Sequence, residues 1–377
     1  HTEGAPMFCK AFNKSLVVEP GKTLAVCCSD GKRMLKSSLA DITSLTDFFY
    51  NSKRYNEIRE EVKNLTSPTQ YDNCLSCQRA DQGYDTEMKV MNEIKFPAWK
   101  GYDNLVDLKF LEVTTSNICK QSCVMCGSKY SSTHAKLEGN LEHISFMDER
   151  EMKMIYQVLP EIDYICLKGG EPFADQNNLK ILTKLYECNP NIKEIVIVSN
   201  GQNISLPFIR ALTKFTPQQL TLGFSLDGVD ELYNWQRGSE YSKTVDTLNQ
   251  LTRDTGLVYP ILNTVTVYSL PSLLDTFEMH CSDLRGVNHV TSSNIVWTPA
   301  YTSCALYTQS QIDDIVGPIM EFKDTPEVTW NRNGVDKIKS FGNNDLVGAF
   351  SRHTEKWNNI RKLNIYDHVP ELSWIGK

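Results

Sequence analysis

The sequence has no long apolar run and no excess of positive charge. No stretch approaches the roughly 20 apolar residues that cross a bilayer, and none has the features of a secretion signal. The 39 Lys and Arg residues are outnumbered by 46 Asp and Glu residues, which gives a formal net charge of −7 at pH 7. A membrane partner is therefore not expected, nucleic acid is disfavoured, and we expect a cytoplasmic protein.

Internal repeats and low-complexity tracts are also lacking. Hydrophobic residues make up 41% of the chain and charged residues 23%, which is ordinary for a globular protein. The length of 377 residues predicts one large barrel-like domain with a smaller appendage.

Cysteine, in contrast, is abundant. Of the twelve cysteines, eight fall into groups with metal-ligand spacing. Because no secretion signal accompanies them, a disulfide framework is not expected, and a reducing compartment suits the pattern. The four remaining cysteines are Cys166, Cys188, Cys281 and Cys304. We expect Cys166 and Cys188 to be buried as small apolar residues.

The first metal-type group lies in residues 119–126, which we call the cysteine loop. Cys119, Cys123 and Cys126 have the spacing C-x3-C-x2-C and directly follow an apolar strand predicted at residues 108–115. Three thiolates on such a loop can hold three irons of a [4Fe–4S] cluster and leave the fourth iron open to a small molecule. A structural zinc site is the alternative, but it requires four ligands, and nearby residues supply no fourth.

From this first strand onward, strand and helix patterns alternate along the chain, which favours βα units around a parallel sheet. The predicted strands cover residues 108–115, 164–168, 193–199, 220–226, 260–268 and 292–297. The predicted helices cover residues 145–159, 178–188, 206–215, 244–255, 270–281 and 309–322, with a weaker helical pattern at 350–357. Six βα units predict a partial barrel that is open on one side.

Polar or glycine-containing motifs follow successive predicted strands. A barrel brings such motifs together at the carboxyl ends of its strands, where function resides. The motifs are Gly169-Gly170-Glu171-Pro172, Ser199-Asn200-Gly201, Ser225-Leu226-Asp227-Gly228 and Arg237-Gly238. Glycines let the backbone approach a ligand, the Glu171 carboxylate can accept from an ammonium group, and the Arg237 guanidinium suits a planar carboxylate. Each motif considered alone is also an ordinary turn signal.

The cysteine spacing and these motifs together resemble the radical S-adenosylmethionine (radical SAM) superfamily. The resemblance implies that the cysteine loop holds a [4Fe–4S] cluster whose open iron binds S-adenosylmethionine. It also implies that Glu171 holds the methionyl amino group and that Arg237 pairs with the methionyl carboxylate. The residues implied to contact this cofactor are Met125, Gly169, Gly170, Glu171, Pro172, Ser199, Asn200, Ser225, Asp227 and Arg237. The implied chemistry is one-electron cleavage to methionine and a 5′-deoxyadenosyl radical, which abstracts hydrogen from a substrate.

The N-terminal segment carries a second cysteine set. A β-hairpin is predicted where residues 15–18 and 23–26 flank a Glu-Pro-Gly turn, and a helix is predicted at residues 45–65. The set resembles the auxiliary-cluster module called SPASM, or twitch in its short form, and comprises Cys9, Cys27, Cys74 and Cys77. This implies a second [4Fe–4S] cluster, with a four-cysteine zinc site as the alternative. The adjacent Cys28 leaves the choice of ligand open, although successive strand residues point to opposite sides.

The predicted fold class is α/β, a partial (β/α)6 TIM-like barrel with a small N-terminal α+β module of a β-hairpin and a helix. The auxiliary-cluster module covers residues 7–81 and a connector covers 82–107. The partial barrel covers residues 108–300, and a helical or irregular extension covers 301–377.

The substrate is the open question. We expect an enzyme acting on a peptide or protein side chain, because auxiliary-cluster modules accompany such chemistry, with flavodoxin or ferredoxin as electron donor. No separate leader-peptide-binding domain is recognised, so a sugar, nucleoside or metabolite is the alternative substrate. A non-catalytic iron or zinc protein is the alternative of a different class. Cys304, which follows the sixth strand, is a candidate hydrogen-atom donor to a substrate radical.

Overall fold

A computed structural model describes residues 11–27, 34–63, 105–202, 204–342 and 344–375. Within these ranges no helix is long and apolar enough to cross a membrane. Of the predicted auxiliary set, Cys27 lies inside the described ranges, whereas Cys9, Cys74 and Cys77 lie outside them, as does the alternative ligand Cys28. The predicted second cluster therefore falls mostly outside the described residues.

Strands and helices alternate along most of the described chain. The strands are β1 Ser15–Val18, β2 Leu24–Ala25, β3 Phe110–Thr114, β4 Tyr164–Lys168, β5 Glu194–Ser199, β6 Leu220–Ser225, β7 Tyr259–Val265, β8 Val287–Ile295 and β9 Thr329–Asn331. The helices are α1 Ala11–Lys14, α2 Leu45–Asn51, α3 Lys53–Lys63, α4 Ser132–Glu138, α5 Glu149–Val158, α6 Gln176–Cys188, α7 Leu206–Leu212, α8 Asp230–Arg237, α9 Tyr241–Thr255, α10 Leu273–Asp283, α11 Gln309–Glu321 and α12 Val347–Arg361. Short 3-10 turns join several of these elements.

The strands form one sheet in the order β2-β1-β3-β4-β5-β6-β7-β8-β9. The pairs β3–β4, β4–β5, β6–β7 and β7–β8 are parallel, and β2, β1 and β9 lie outside the six predicted strands. The six predicted strands are all present as β3 to β8, and the largest difference is at β8, which begins at Val287 instead of residue 292. The sheet is mostly parallel and unclosed, so the predicted partial-barrel fold class is confirmed.

Three short strands extend the sheet beyond the predicted six. β1 and β2 form the predicted antiparallel hairpin. β1 also pairs in parallel with β3, with Ser15 opposite Phe110 and Val18 opposite Val113. The hairpin of the N-terminal segment therefore continues the sheet that contains the barrel strands. At the other edge, β9 pairs in parallel with β8.

The chain divides into two compact units. The first comprises His1–Ile118, Leu141–Ile197 and Arg210–Thr221, and the second comprises Cys119–Asn140, Val198–Ile209 and Leu222–Lys377. Each unit has its own buried apolar residues, such as Ile165 and Ile195 in the first and Phe224 and Ile261 in the second. The segments proposed from the sequence (7–81, 82–107, 108–300 and 301–377) stay predictions.

The single helix predicted at residues 45–65 is wrong in one respect, because the structure contains two helices separated at Ser52. Ser52 has extended backbone angles, with φ of −60° and ψ of 122°. Its hydroxyl oxygen accepts a hydrogen bond from the Tyr55 N–H at 3.3 Å. Serine competes with helical hydrogen bonding in this way, which ends one helix and begins the next.

Candidate cluster-binding site

The cysteine loop belongs to the second unit, and its cysteines are largely shielded from solvent. Cys119 and Cys123 are buried and Cys126 is half-buried. The loop turns back on itself, because the Cys126 N–H donates to the Cys123 carbonyl oxygen at 2.9 Å. Burial raises the pKa of the Cys123 thiol, and burial together with the neighbouring Cys123 raises that of Cys126 to about 12. Both groups are therefore neutral thiols until a bound cation stabilises the thiolate form.

The start of helix α4 holds the backbone of the cysteine loop. The Thr133 hydroxyl donates to the Cys119 carbonyl oxygen at 2.6 Å, and the Ser131 hydroxyl donates to the Gln121 carbonyl oxygen at 3.1 Å. His134 Nε2 donates to the Cys123 carbonyl oxygen at 2.8 Å. Two of these bonds fix the carbonyls of Cys119 and Cys123 and the third fixes that of Gln121 between them, so the loop conformation is set by its neighbours.

Helix α8 contributes the second set of contacts. The Val124 N–H donates to the Gln236 carbonyl oxygen at 2.8 Å. Arg237 Nη1 lies 3.6 Å from Cys123 Sγ, and Arg237 Nη2 lies 2.5 Å from Asp227 Oδ2. The other Asp227 oxygen accepts from the Thr264 N–H at 2.6 Å. Burial alone lowers the pKa of Arg237, but the Asp227 carboxylate and Cys123 raise it above its ordinary value, so the guanidinium stays charged.

The motif after β5 reaches the first cysteine of the loop. Asn200 Nδ2 lies 3.9 Å from Cys119 Sγ, while Asn200 Oδ1 accepts from the Gln202 N–H at 3.0 Å. The Ser199 hydroxyl oxygen accepts from the Gly201 N–H at 2.9 Å. Gly201 has a φ of +75°, a conformation that side-chain-bearing residues rarely adopt. This turn directs Asn200 toward the cysteine.

The motif after β4 belongs to the first unit, where it packs on the chain that precedes the loop. A Cβ on Gly170 would lie 2.4 Å from the Ile118 carbonyl oxygen, so only glycine fits there. This close approach allows the Glu171 N–H to donate to the Ile118 carbonyl oxygen at 2.7 Å. Glu171 is buried, and its Oε1 accepts from the Phe173 N–H at 3.0 Å. The carboxylate therefore caps the 3-10 turn that begins at Pro172.

Three further predicted site residues differ in their burial. Ser225 ends β6 and is half-buried, as is Met125 in the cysteine loop. Cys304 begins a 3-10 turn and is fully buried, and burial raises its pKa above the ordinary value. Among the described residues no group of three or more His, Cys, Asp or Glu side chains converges on a single metal-ion position.

The groups around the cysteine loop fit an anionic iron–sulfur cluster. Such clusters are held by thiolates, and N–H groups directed at the sulfurs tune them. Arg237 and Asn200 provide such N–H groups to Cys123 and Cys119. Within the described part of the chain, Arg237 Nε is buried without a hydrogen-bond partner, which leaves donor capacity at the site. The donor set and its charge thus suit the predicted cluster.

A comparison with protein families agrees with this assignment. Residues 113–268 match the sequence model of the radical SAM superfamily. This part of the chain is thus similar to the radical SAM superfamily. It includes the cysteine loop and all four strand-end motifs, whereas helices α11 and α12 lie after it. A comparison with curated proteins finds no match.

Several solved structures are similar to the chain. SuiB of Streptococcus suis bound to its precursor peptide SuiA is 13% identical, with 74% of this chain and 63% of that chain covered and a TM-score of 0.45. Native anSMEcpe with bound AdoMet is 21% identical, with 48% and 50% covered and a TM-score of 0.37. The radical S-adenosylmethionine methyltransferase TsrM of Kitasatospora setae is 10% identical, with 51% and 39% covered and a TM-score of 0.33. The chain thus spans less than two thirds of each of these proteins.

Sequence reasoning missed several residues that hold the loop. Ser131 is recognisable in hindsight as the N-cap of α4, because its hydroxyl oxygen accepts from the His134 N–H. Gly238, which the sequence analysis names beside Arg237, ends α8 with a φ of +71°, a typical helix C-cap. Arg361, which contacts Ser122 in the loop, carries no local signal because 239 residues separate the two.

Proposed function

We propose that the chain is an enzyme that cleaves S-adenosylmethionine reductively and abstracts hydrogen from a substrate. The observation that carries this proposal is that N–H groups of Arg237 and Asn200 face the sulfurs of Cys123 and Cys119 in the cysteine loop. When bound, a [4Fe–4S] cluster and S-adenosylmethionine supply one-electron cleavage to methionine and a 5′-deoxyadenosyl radical.

The chain's own residues bind and orient these groups in this proposal. Cys119, Cys123 and Cys126 are the iron ligands, and the carbonyls fixed by α4 keep their backbone in place. Glu171 is the proposed contact to the methionyl amino group, and the close packing of Gly170 restrains the backbone that precedes it. Pro172 begins the 3-10 turn that Glu171 caps, which restrains the carboxylate further.

Arg237 has a different role in this proposal from the one that the family resemblance implies. Its guanidinium is engaged by the Asp227 carboxylate and lies against Cys123 Sγ. We therefore assign it to the cluster thiolate instead of the methionyl carboxylate. Ser199 and Asn200 remain the proposed contacts to the ribose, and Ser225 the proposed contact to the ribose or the carboxylate, with Met125 beside the cofactor.

For the substrate, we propose a peptide or protein side chain, on the basis of the predicted auxiliary cysteine set. A small molecule such as a sugar or nucleoside is the alternative within the same chemistry. Cys304 remains a candidate hydrogen-atom donor, although its complete burial means that a substrate would have to reach it through a rearranged segment. Flavodoxin or ferredoxin is the proposed electron source.

The test is anaerobic reconstitution followed by reduction with dithionite in the presence of S-adenosylmethionine. We expect iron uptake and release of 5′-deoxyadenosine, both strongly reduced in the triple variant Cys119→Ala/Cys123→Ala/Cys126→Ala. The matched control is Cys188→Ala/Cys281→Ala, which removes cysteines outside the predicted sites and leaves both readouts intact. Bound iron or zinc without any 5′-deoxyadenosine release would favour the non-catalytic alternative.

The substrate class needs its own assay. A short peptide encoded beside the gene for this chain is added, and its mass is followed during 5′-deoxyadenosine release. A mass change that depends on Cys123 supports the peptide proposal. Stimulation by a small molecule, with peptides inert, would overturn it.

A further inference from the structure

We propose that Arg361, from helix α12, is a positioning residue for the cysteine loop and favours the reduced state of its cluster. This inference rests on the proposed function, since it concerns the cluster that Cys119, Cys123 and Cys126 would hold. Arg361 lies outside residues 113–268, the part that matches the superfamily. It therefore joins the segment after the radical SAM domain to the centre of that domain's chemistry.

The Arg361 guanidinium donates from all three of its nitrogens, two to the cysteine loop and one to α8. Nη1 donates to the Ser122 hydroxyl oxygen at 2.9 Å, and Nη2 donates to the Ser122 carbonyl oxygen. Nε donates to the Trp235 carbonyl oxygen at 2.9 Å. The Ser122 carbonyl belongs to the planar peptide that joins Ser122 to Cys123. Holding that oxygen therefore fixes the orientation of the Cys123 backbone.

The surroundings of Arg361 are shaped for a guanidinium. Its Cζ lies 4.6 Å from the centre of the Trp357 ring, one turn earlier on α12, which is a favourable cation–π distance. Gly238 lies against it, and a Cβ there would come within 2.7 Å of Arg361 Cζ. A planar, forked cation fits this slot in a way that the single ammonium of lysine does not.

Arg361 has no ion-pair partner within the described part of the chain. Its guanidinium donates instead to backbone and hydroxyl oxygens, which carry no full negative charge. Arg237 is a second guanidinium near Cys123, with Nη1 at 3.6 Å from the sulfur. Arg237 is already paired with Asp227, so Arg361 supplies the charge beside this cysteine that no described carboxylate balances. That charge stabilises the added negative charge when a cluster there takes up one electron.

The experiment compares variants of the reconstituted full chain by redox titration and by the rate of cluster loss in air. Arg361→Gln removes the charge and the fork, Arg361→Lys keeps the charge, and Ser122→Ala removes one hydrogen bond. The matched control is Arg352→Gln, an exposed arginine on the same helix. Phe350→Leu, at a buried position of α12, controls for general destabilisation. The loop cluster is read as the signal that is lost in Cys119→Ala/Cys123→Ala/Cys126→Ala.

For Arg361→Gln we expect the ratio of reduced to oxidised cluster at a fixed potential to fall roughly threefold to tenfold, because one nearby charge is lost. A tenfold fall corresponds to about 59 mV for a one-electron couple. Arg361→Lys should keep the potential close to that of the unmodified chain but lose its cluster faster in air, and Ser122→Ala should also lose it faster. Arg352→Gln should change neither quantity.

Two results would overturn the inference. One is an unchanged potential and cluster lifetime in Arg361→Gln while the unmodified chain holds a cluster. The other is an equal shift of potential in Phe350→Leu, which would assign the effect to loss of stability. A chain that takes up no cluster at all would instead overturn the proposed function, and this inference with it.

Discussion

The ion pair between Asp227 and Arg237 offers the sharpest test of the site, through the substitution Asp227→Asn. Asparagine keeps the size of the side chain and an oxygen for the Thr264 N–H, which Asp227 Oδ1 accepts at 2.6 Å. It removes the negative charge that lies 2.5 Å from Arg237 Nη2. Because both residues are buried, the Arg237 guanidinium would remain charged without a counter-ion.

The expected loss of stability follows from this geometry. At an effective dielectric constant near 20, two unit charges 2.5 Å apart attract by roughly 7 kcal/mol. Most of that attraction offsets the desolvation of the two groups, so breaking a buried pair by removing one partner typically costs about 3 to 5 kcal/mol. We therefore expect Asp227→Asn to lower the free energy of unfolding by about that amount, a large share of the roughly 5 to 15 kcal/mol typical of a domain.

Substitution of the other partner, Arg237→Met, should lower the free energy of unfolding by less. Burial already raises the pKa of Asp227, so an unpaired carboxyl there can take up a proton and lose its charge. The Arg237 guanidinium cannot lose its charge in a comparable way, because it stays protonated. The double variant Asp227→Asn/Arg237→Met removes both charges and should regain much of the loss.

Urea unfolding of the metal-free chain at neutral pH measures all three variants. Asp246→Asn, at an exposed position of α9, is the matched control and should change stability by less than about 0.5 kcal/mol. The reasoning would be refuted if Asp227→Asn cost less than about 1 kcal/mol. It would also be refuted if the two single effects simply added in the double variant, since contacting residues are expected to couple.

Three further predictions address other parts of the structure. Gly170→Ala should abolish binding of S-adenosylmethionine in equilibrium dialysis, because the new Cβ would lie 2.4 Å from a backbone oxygen. The control Gly127→Ala has no atom within 4 Å of the new Cβ and should bind normally. Equal binding by the two variants would contradict this prediction. The pKa of His280 is lowered by burial to about 4, below its ordinary 6.5, so the unfolded chain takes up a proton first as the pH falls. The contribution of His280 to the free energy of unfolding should therefore be nearly constant above pH 6.5 and lower by roughly 2 kcal/mol at pH 5. In urea unfolding, the free energy of unfolding of His280→Gln should depend less on pH than that of the unmodified chain. Cys304→Ala should release 5′-deoxyadenosine at the normal rate, because the Cys304 thiol is fully buried and makes none of the contacts described for the cysteine loop. Normal release together with loss of the modified product would support the role of Cys304 as hydrogen-atom donor.

The sequence predicted the parts of the fold that depend on local patterns. The strands β3 to β7 are largely apolar segments bounded by turn residues, and the order of β3 to β8 follows from the preference of βα units for neighbouring parallel strands. The cysteine loop and the Gly170 turn were found because their residue types are chemically constrained. A Cβ at Gly170 would meet the backbone, so the glycine itself is a structural signal.

The parts that were missed depend on contacts between distant segments. The parallel pairing of β1 with β3 joins residues nearly a hundred positions apart, and nothing in the short sequence of β1 specifies its partner. The break at Ser52 depends on the Ser52 hydroxyl oxygen, which accepts from the Tyr55 N–H and so competes with the hydrogen bonds of a continuous helix. Arg361 and Ser122 meet because α12 packs near α8, where the Trp235 carbonyl oxygen accepts from Arg361 Nε.

The arrangement around Cys123 links stability to cluster binding. In the metal-free chain this cysteine is a neutral, buried thiol, and its neighbours include the charged guanidinium of Arg237. The carbonyls of the loop are already fixed by His134 and Arg361, so ligation requires little rearrangement of the backbone. Arg237 already has the Asp227 carboxylate as its counter-ion, whereas Arg361 has no ion-pair partner within the described part of the chain. The thiolates that form on ligation therefore add the negative charge that Arg361 lacks. Binding of the cluster should for that reason stabilise the packing of α12 on the loop as well as the loop itself.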